Sequence, residues 1–393
     1  MNPAGSPSWE AIVVGAALFA TMAAYALFAG ADFGGGIWDL LAGNSDRGAK
    51  PREQIDRSVT PVWEGNNVWI VLGFTLVWTG FPIAFAAVMT SLFVPLSLSL
   101  LGIFFRGLGF AFRHEAERLR LKQLSGVLFA ASSFLAPFFL GDSVGAVATG
   151  RVRTAAEGNV LSAWVSPTAL MTGVLFVSAC AYIGAVYLVA DTSRRGEPEL
   201  VRYFSRRAIA AGVLTGLLAA INLLLLRTNA PYLWHRLLHQ ALPLVIVSVL
   251  AGLAALVLVV LHRRNLLRIS AALAVMAVVA AYGVAQYPWL LPGSLSLQDG
   301  AAPRTSLLAI LVVLVLAGVL VVPSFGYLYY LQQTGNLEDT AISPQLQRAV
   351  AAENLAAAGG PRDRRSHPIV LTLVFGAAVI DVLREIRSRR VRH

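Results

Sequence analysis

The chain of 393 residues is 57% hydrophobic and only 13% charged, and its formal net charge is +10. With a mean hydropathy of +0.68, it is too apolar for an ordinary soluble domain. Its basic residues fall in short clusters between apolar runs and not along one amphipathic face, which argues against nucleic acid and is typical of membrane proteins. The single cysteine, Cys180, lies in an apolar run and cannot form an intrachain disulfide.

Nine apolar segments are long enough, or nearly so, to cross a bilayer as helices, which takes about 20 residues. They cover approximately residues 9–30, 64–80, 82–106, 126–148, 165–190, 207–226, 240–262, 266–287 and 306–331. The first is expected to be a retained helix, because no basic segment of the signal-peptide type precedes it. The sequence therefore predicts an all-α integral membrane protein with about nine transmembrane helices, packed in bundles through faces rich in Gly, Ala and Ser.

The distribution of basic residues indicates how these helices cross the membrane. Lys and Arg number 26 in one alternating set of termini and loops and 5 in the other. Basic residues are enriched in cytoplasmic loops, so the N-terminus is predicted outside and the C-terminus in the cytoplasm. Residues 1–335 form the predicted membrane domain. Residues 336–393 form a polar cytoplasmic tail, whose short apolar run at about 368–383 predicts an interfacial helix, with a tenth span as the alternative.

Three ionisable residues lie near the predicted cytoplasmic face: Asp32 at the end of the first span, Glu64 at the start of the second and Arg106 at the end of the third. Ionisable groups within spans are costly and are candidates for function. Burial raises the pKa of a carboxyl group, and a nearby Arg lowers it again. A carboxyl group under both influences can take up and release a proton near neutral pH, as a proton relay requires. Each residue also has a simpler interpretation: Glu64 as a helix N-terminal acid, Asp32 as a cap or turn residue before three glycines, and Arg106 as a snorkelling anchor.

Other polar residues receive weaker functional interpretations. Asp142 is expected to be an interfacial or lumen-side polar residue toward the outer end of the fourth span. His235 and His239 have a spacing that could suit a metal, but a surface-lying amphipathic helix explains YLWHRLLHQ better. The histidines lie in loops or at span ends, whereas a haem within the bilayer needs an axial ligand facing the core. This chain alone is therefore expected to bind no haem, metal or other cofactor.

Several motifs are specific in combination. YALFAGADFGGGIWDLLAG, PVWEGNNVWIVLGFTLVWTGFPIAFA and LGIFFRGLGFAFR resemble the N-terminal half of subunit II of the cytochrome bd quinol oxidases. QYPWLLPGSLSLQDGAAP resembles the loop before the last helix of that family. The resemblance covers roughly residues 9–331, and the tail has no counterpart in it. Ala29 stands where some members carry a further acid.

The resemblance implies a subunit of a heterodimeric respiratory oxidase in the bacterial plasma (inner) membrane, which oxidises quinol and reduces oxygen to water. It implies that the b-type and d-type haems and the quinol site lie in subunit I, which this chain supports without being catalytic itself. It further implies a cytoplasmic proton path with Glu64 as the entry acid, Asp32 as the matching acid, and Trp63, Asn66 and Arg106 in support. A small accessory subunit, membrane lipid and quinone are further candidate partners.

Two other functions stay open. A secondary transporter could use Asp32 and Glu64 as coupling groups, although transporters usually show broken helices at the bilayer midplane and paired repeats. A purely structural assembly subunit could instead use the same acids to hold the haem-bearing subunit in place.

Overall fold

The computed structural model describes residues 7–43, 46–59, 63–115, 119–154, 160–261 and 263–333. This part of the chain contains thirteen α-helices and one small hairpin. The elements are α1 (Trp9–Ala42), α2 (Asp46–Val59), α3 (Trp63–Gly80), α4 (Pro82–Ser91), α5 (Phe93–Glu115), α6 (Leu119–Ala148), α7 (Val160–Trp164), α8 (Pro167–Arg195), α9 (Pro198–Asn229), α10 (Pro231–Leu238), α11 (Leu242–Val260), α12 (Arg264–Gln286), β1 (Trp289–Leu291), β2 (Leu295–Ser296) and α13 (Arg304–Gln333).

The described residues include seven helices long and apolar enough to cross a membrane: α1, α6, α8, α9, α11, α12 and α13. The bent pair of α3 and α4 raises the number to eight if it counts as one span, and α5 adds a shorter apolar helix, Phe93–Gly109. The prediction of an all-α, multi-pass membrane protein is confirmed. All nine predicted segments coincide with helices, but they do not give nine regular spans.

Pro95 explains the largest difference from the predicted spans, and Pro82 explains the bend between the predicted segments 64–80 and 82–106. The predicted helix 82–106 is divided at Leu92 into α4 and α5, and α4 is bent by 117° from α3. Pro82 forces Phe81 out of helical geometry, with φ −139° and ψ 62°. Pro95 lacks an N–H group, and its ring would collide with the carbonyl group four residues earlier, so the helix cannot continue unbroken through Leu92.

The first helix is longer than predicted, because α1 continues past residue 30 to Ala42. It begins after Ser8, whose side chain accepts a hydrogen bond from the Ala11 N–H, and it ends at Gly43, whose φ of 73° favours glycine. The three glycines after Asp32 lie inside this helix and do not break it. They permit close packing instead.

The helices pack most closely where α1 crosses α8. A Cβ atom on Gly34 would lie 2.9 Å from the Cα of Gly184, so the two backbones touch. Close approach through small residues is the usual way in which membrane helices associate. This crossing confirms the predicted use of glycine faces, and α8 is the most deeply buried of the seven candidate spans.

One end of the bundle, here called end A, is the end at which α1 begins. The segment 287–303 folds over it: the Ala302 N–H donates to the carbonyl oxygen of Gly80 at 2.8 Å. The Ser8 N–H donates to the side-chain oxygen of Gln298, also at 2.8 Å. Within this segment β1 and β2 pair antiparallel, a hairpin that the sequence did not predict. End A therefore joins the start of α1, the bend between α3 and α4, and the loop before α13.

The chain divides into two compact units, Met1–Leu320 and Val321–His393. Of the second unit, the described residues are those of the last part of α13, through Gln333. The predicted tail 336–393 and its interfacial helix at about 368–383 lie outside the described residues.

Candidate functional site

A buried ion pair between Asp32 of α1 and Arg106 of α5 is the centre of the candidate site. The Arg106 Nε–H donates to Asp32 Oδ2 at 2.9 Å, and Nη2–H donates to Oδ1 at 2.7 Å. The two side chains are only 7% and 5% exposed. A guanidinium group that binds both oxygens of a carboxylate forms one of the stronger charged contacts in proteins.

Arg106 makes two further hydrogen bonds, so four of its five N–H donors are bonded. Its Nη2 also donates to the backbone carbonyl oxygen of Asp32 at 2.6 Å, and its Nη1 donates to Ser133 Oγ of α6 at 2.6 Å. The Ser133 hydroxyl donates in turn to the carbonyl oxygen of Phe129 at 2.7 Å. The rings of Phe129 and Phe33 lie 4.4 and 5.1 Å from the guanidinium carbon, within cation–π range. The pair thus ties three helices together.

Gly36 makes room for this arrangement. A Cβ atom at Gly36 would lie 2.0 Å from Ser133 Oγ and 2.9 Å from Arg106 Nη1. Gly36 lies one helical turn after Asp32, on the same side of α1. The ADFGGG motif therefore supplies both the acid and the space that its partner occupies.

Two of the simpler sequence interpretations are wrong. Asp32 is not a cap or turn residue, because α1 continues to Ala42. Arg106 is not a snorkelling anchor: it is buried, and α5 continues beyond it to Glu115. Both errors have the same cause, since α1 and α5 extend beyond the ends predicted from their apolar runs. The Asp142 side chain is fully buried in α6, six residues before that helix ends at Ala148.

Glu64 lies in the first turn of α3, as predicted, because that helix begins at Trp63. The side chains of Trp63, Glu64 and Asn66 lie outside the described part of the structure. The backbone of this helical turn is described. The packing of α1 against α3 therefore shows which residues of α1 lie level with it.

Three contacts set the register of these two antiparallel helices. A Cβ on Gly80 would lie 3.0 Å from Val14 Cγ1, a Cβ on Gly73 would lie 3.6 Å from Thr21 Cγ2, and the rings of Trp69 and Phe28 stack with centroids 6.0 Å apart. One further helical turn leads from Phe28 to Asp32 on α1 and from Trp69 to residue 65 on α3. The register therefore brings the first turn of α3, with Glu64, to the level of Asp32.

A second charged cluster was missed by the sequence interpretation. Asp191 of α8 forms ion pairs with Arg194 of the same helix and Arg268 of α12. The guanidinium carbon of Arg268 lies 5.1 Å from the ring centroid of Tyr187. The sequence signal was an acid directly after an apolar run, but Arg194 lies in a predicted loop and Arg268 at the start of the predicted span 266–287, so the sequence did not link them. This cluster joins α8 to α12 and has no contact with Asp32.

The histidines that the structure describes with their side chains are His235 of α10 and His239, the C-cap residue of that helix. His235 and His239 are exposed, their rings stack with centroids 4.4 Å apart, and the predicted amphipathic helix is confirmed. Within the described residues, no group of three or more His, Cys, Asp or Glu side chains could hold a metal ion. Two exposed histidines on one short helix do not form an intramembrane haem pocket.

The sequence profile described as "Cytochrome bd terminal oxidase subunit II" matches residues 10–332. The chain belongs to this family. Proteins of this family are multi-pass proteins of the bacterial inner membrane, and the seven long apolar helices among the described residues agree with that location.

Individual relatives are distant. Cytochrome bd-I ubiquinol oxidase subunit 2 of Escherichia coli (strain K12) is 27% identical over 175 residues, which are 43% of this chain and 45% of the relative. This chain therefore spans less than half the length of that relative. A protein of Bacillus subtilis (strain 168), provisionally named a cytochrome bd menaquinol oxidase subunit II, is 23% identical over 335 residues, 82% of this chain and 95% of the relative.

A solved structure shares the fold. The bd oxidase from Geobacillus thermodenitrificans contains a chain that superposes with a TM-score of 0.67 at 22% identity, covering 82% of this chain and 98% of that one. Identity at this level shows the fold alone. The family profile, over residues 10–332, spans nearly all of the described helices.

Proposed function

We propose that this chain is the haem-free membrane subunit of an oxidase that oxidises quinol and reduces oxygen to water, and that it supports a haem-bearing subunit I. The match of the family profile to residues 10–332 supports this proposal. The haems, the quinol site and the catalytic chemistry belong to subunit I. Replacing His235 and His239 by Ala should leave the haem spectrum of the purified complex unchanged, and a lost haem band would contradict this assignment.

The proposed orientation has end A outside and the opposite end in the cytoplasm. Lys and Arg are concentrated in the loops at the end opposite end A, which supports this orientation. In this orientation α4 and α5 together make one crossing, and the described chain crosses nine times. A Glu53→Cys variant, at an exposed position of α2, should react with an impermeant maleimide in inside-out vesicles. Reaction in intact spheroplasts would reverse the orientation.

Within this oxidase, Glu64 takes up protons from the cytoplasm and passes them toward Asp32. Oxygen reduction consumes protons, and a carboxyl group at the cytoplasmic end of a helix is suited to collect them. The observation that carries this proposal is the register of α1 against α3, which brings the first turn of α3 to the level of the buried Asp32–Arg106 pair. Trp63 and Asn66 share this turn and support Glu64, while Arg106 holds Asp32 in place.

The decisive experiment compares Glu64→Gln, which cannot titrate, with Glu64→Asp, which can. Glu64→Gln should lower oxygen consumption by the purified complex about 10-fold or more while the haem spectrum is retained. Glu64→Asp should keep most of the activity. Glu53→Gln on α2 is the matched control, because Glu53 is an exposed acid paired with Arg57. Normal turnover of Glu64→Gln across the pH range would refute the proton role.

The alternative is a structural role in assembly, and one observation favours it. Both carboxylate oxygens of Asp32 are bonded to Arg106, so Asp32 can accept a proton only if this pair opens. If Glu64→Gln and Asp32→Asn both lose the haem spectrum or the subunit I partner, the acids hold the complex together and do not conduct protons.

A further inference from the structure

A cavity of about 380 Å³ lies beside α4 at end A. One wall is the helix itself, which supplies Ile83, Ala86, Ala87 and Thr90. These positions are spaced three and four residues apart, so they form one face of α4. Because α4 is bent by 117° from α3, this face does not continue the surface of the preceding helix. It forms a separate, largely apolar groove.

The opposite wall is polar and fixed in place. Arg153 and Thr154, which follow α6, line it. The Thr154 N–H donates to Ser294 Oγ at 3.1 Å, and Val152 beside them is fully buried. Gly150 turns the chain with φ 69°, and a side chain there would meet the carbonyl oxygen of Pro292. The position of Arg153 is therefore set by its neighbours in the chain.

The two arginines of this loop differ in what they bind. The Arg151 Nη1 donates to the carbonyl oxygen of Ser162 at 3.2 Å and so holds the loop. Arg153 has no hydrogen bond or ion pair with any residue that the structure describes, and it is exposed toward the cavity. A guanidinium group is well suited to a phosphate group. Basic residues are scarce in the loops at end A. Arg153 is therefore one of few cationic side chains at this end, and it lies beside an apolar groove.

We propose that this groove binds one anionic phospholipid. Its phosphate pairs with Arg153 and Thr154, and the first part of an acyl chain lies along Ile83 and Ala86. An apolar surface beside a cationic group in a membrane protein matches the two parts of a lipid molecule. A free anion would use only the cationic end of the cavity, and an uncharged lipid only the apolar face.

The test is native mass spectrometry of the delipidated oxidase complex after addition of phosphatidylglycerol or phosphatidylcholine. Wild type should retain one phosphatidylglycerol, bound about 10-fold more tightly than phosphatidylcholine, because the charged contact favours the anionic headgroup. Arg153→Gln should lose about this 10-fold preference. Ala86→Phe, at an exposed position, should block the groove and weaken binding of both lipids.

Arg227→Gln is the matched control: Arg227 is also an exposed arginine, at the end of α9, but it does not line the cavity. It should bind phosphatidylglycerol as wild type does, and all variants should keep normal haem spectra and oxygen consumption. Unchanged binding in Arg153→Gln would overturn the proposal. So would displacement by inorganic phosphate, which would indicate a free-anion site, or the failure of the intact complex to retain lipid, which would indicate that another subunit covers the groove.

Discussion

Gly34 of α1 and Gly184 of α8 bring two helix backbones into direct contact. A Cβ atom on Gly34 would lie 2.0 Å from the carbonyl oxygen of Cys180, and a Cβ atom on Gly184 would lie 2.7 Å from the Cα of Gly34. No side chain can occupy either position without moving a backbone. The contact therefore fixes where α1 crosses α8, and with it the height of Asp32, two residues before Gly34.

Gly34→Ala should destabilise the subunit severely. The added methyl group meets backbone atoms and not a flexible side chain, so α1 and α8 must separate, at a cost of about 3 kcal/mol or more. Thermal melting of the purified complex measures this loss. Gly216→Ala on α9 is the control, because nothing lies within 4 Å of a Cβ there, and its melting temperature should stay the same or rise. Equal effects of the two substitutions would contradict the backbone contact.

Ser133→Ala should weaken the Arg106 site, and Ser132→Ala should not. Both hydroxyl groups are buried and donate to the carbonyl oxygen of Phe129 at 2.7 Å, but only Ser133 also accepts a bond from Arg106. Loss of a hydrogen bond to a charged group costs about 1.5–3 kcal/mol, against about 1 kcal/mol for a neutral one. The stability of the two variants is measured by unfolding in SDS. If Ser132→Ala is less stable than Ser133→Ala, the hydrogen bond to Arg106 contributes little.

Removing one charge from the Asp32–Arg106 pair should be worse than removing both. Asp32→Asn leaves a guanidinium group buried without its counter-charge and should lower the free energy of unfolding by about 3–5 kcal/mol. The double variant Asp32→Leu with Arg106→Met replaces the pair by apolar side chains and should recover most of that stability. The exposed pair of Glu53 and Arg57 should change stability by no more than about 1 kcal/mol when broken.

The double variant also separates the two roles proposed for Asp32. If it regains stability and a normal haem spectrum but consumes little oxygen, the carboxyl group is needed for turnover. If it regains full turnover, Asp32 acts only as a structural partner of Arg106.

The sequence predicted the helical membrane architecture because apolar runs and basic loops are direct signals of it. It also indicated that Asp32, Glu64 and Arg106 lie near one face. It could not show that Asp32 and Arg106 pair, because pairing depends on the crossing of α1, α5 and α6. Ser133 gave only a weak signal, a pair of serines in an apolar run, and its partner lies on another helix.

The break at Leu92 was missed for a different reason. Hydropathy measures how apolar a segment is and not whether its backbone can continue as a helix. Residues 82–105 are mostly apolar, yet Pro95 prevents an unbroken helix. The 117° bend at Pro82 lies between two segments that were already predicted as separate helices. Reading Pro95 together with the hydropathy would have predicted α4 as an element separate from α5.

Asp142→Leu should stabilise the subunit, in contrast to the other acid substitutions. The Asp142 side chain is fully buried, and neither of its carboxyl oxygens has a hydrogen-bond partner among the described residues. A buried polar group without a partner costs free energy, and an apolar side chain of similar shape removes that cost, about 1–3 kcal/mol. Asp191→Leu is the control, because Asp191 is paired with Arg268, so the same change should destabilise. If Asp142→Leu instead lowers stability, or lowers oxygen consumption while the haem spectrum is intact, Asp142 contacts a ligand or partner in the complex, and its burial serves the oxidase.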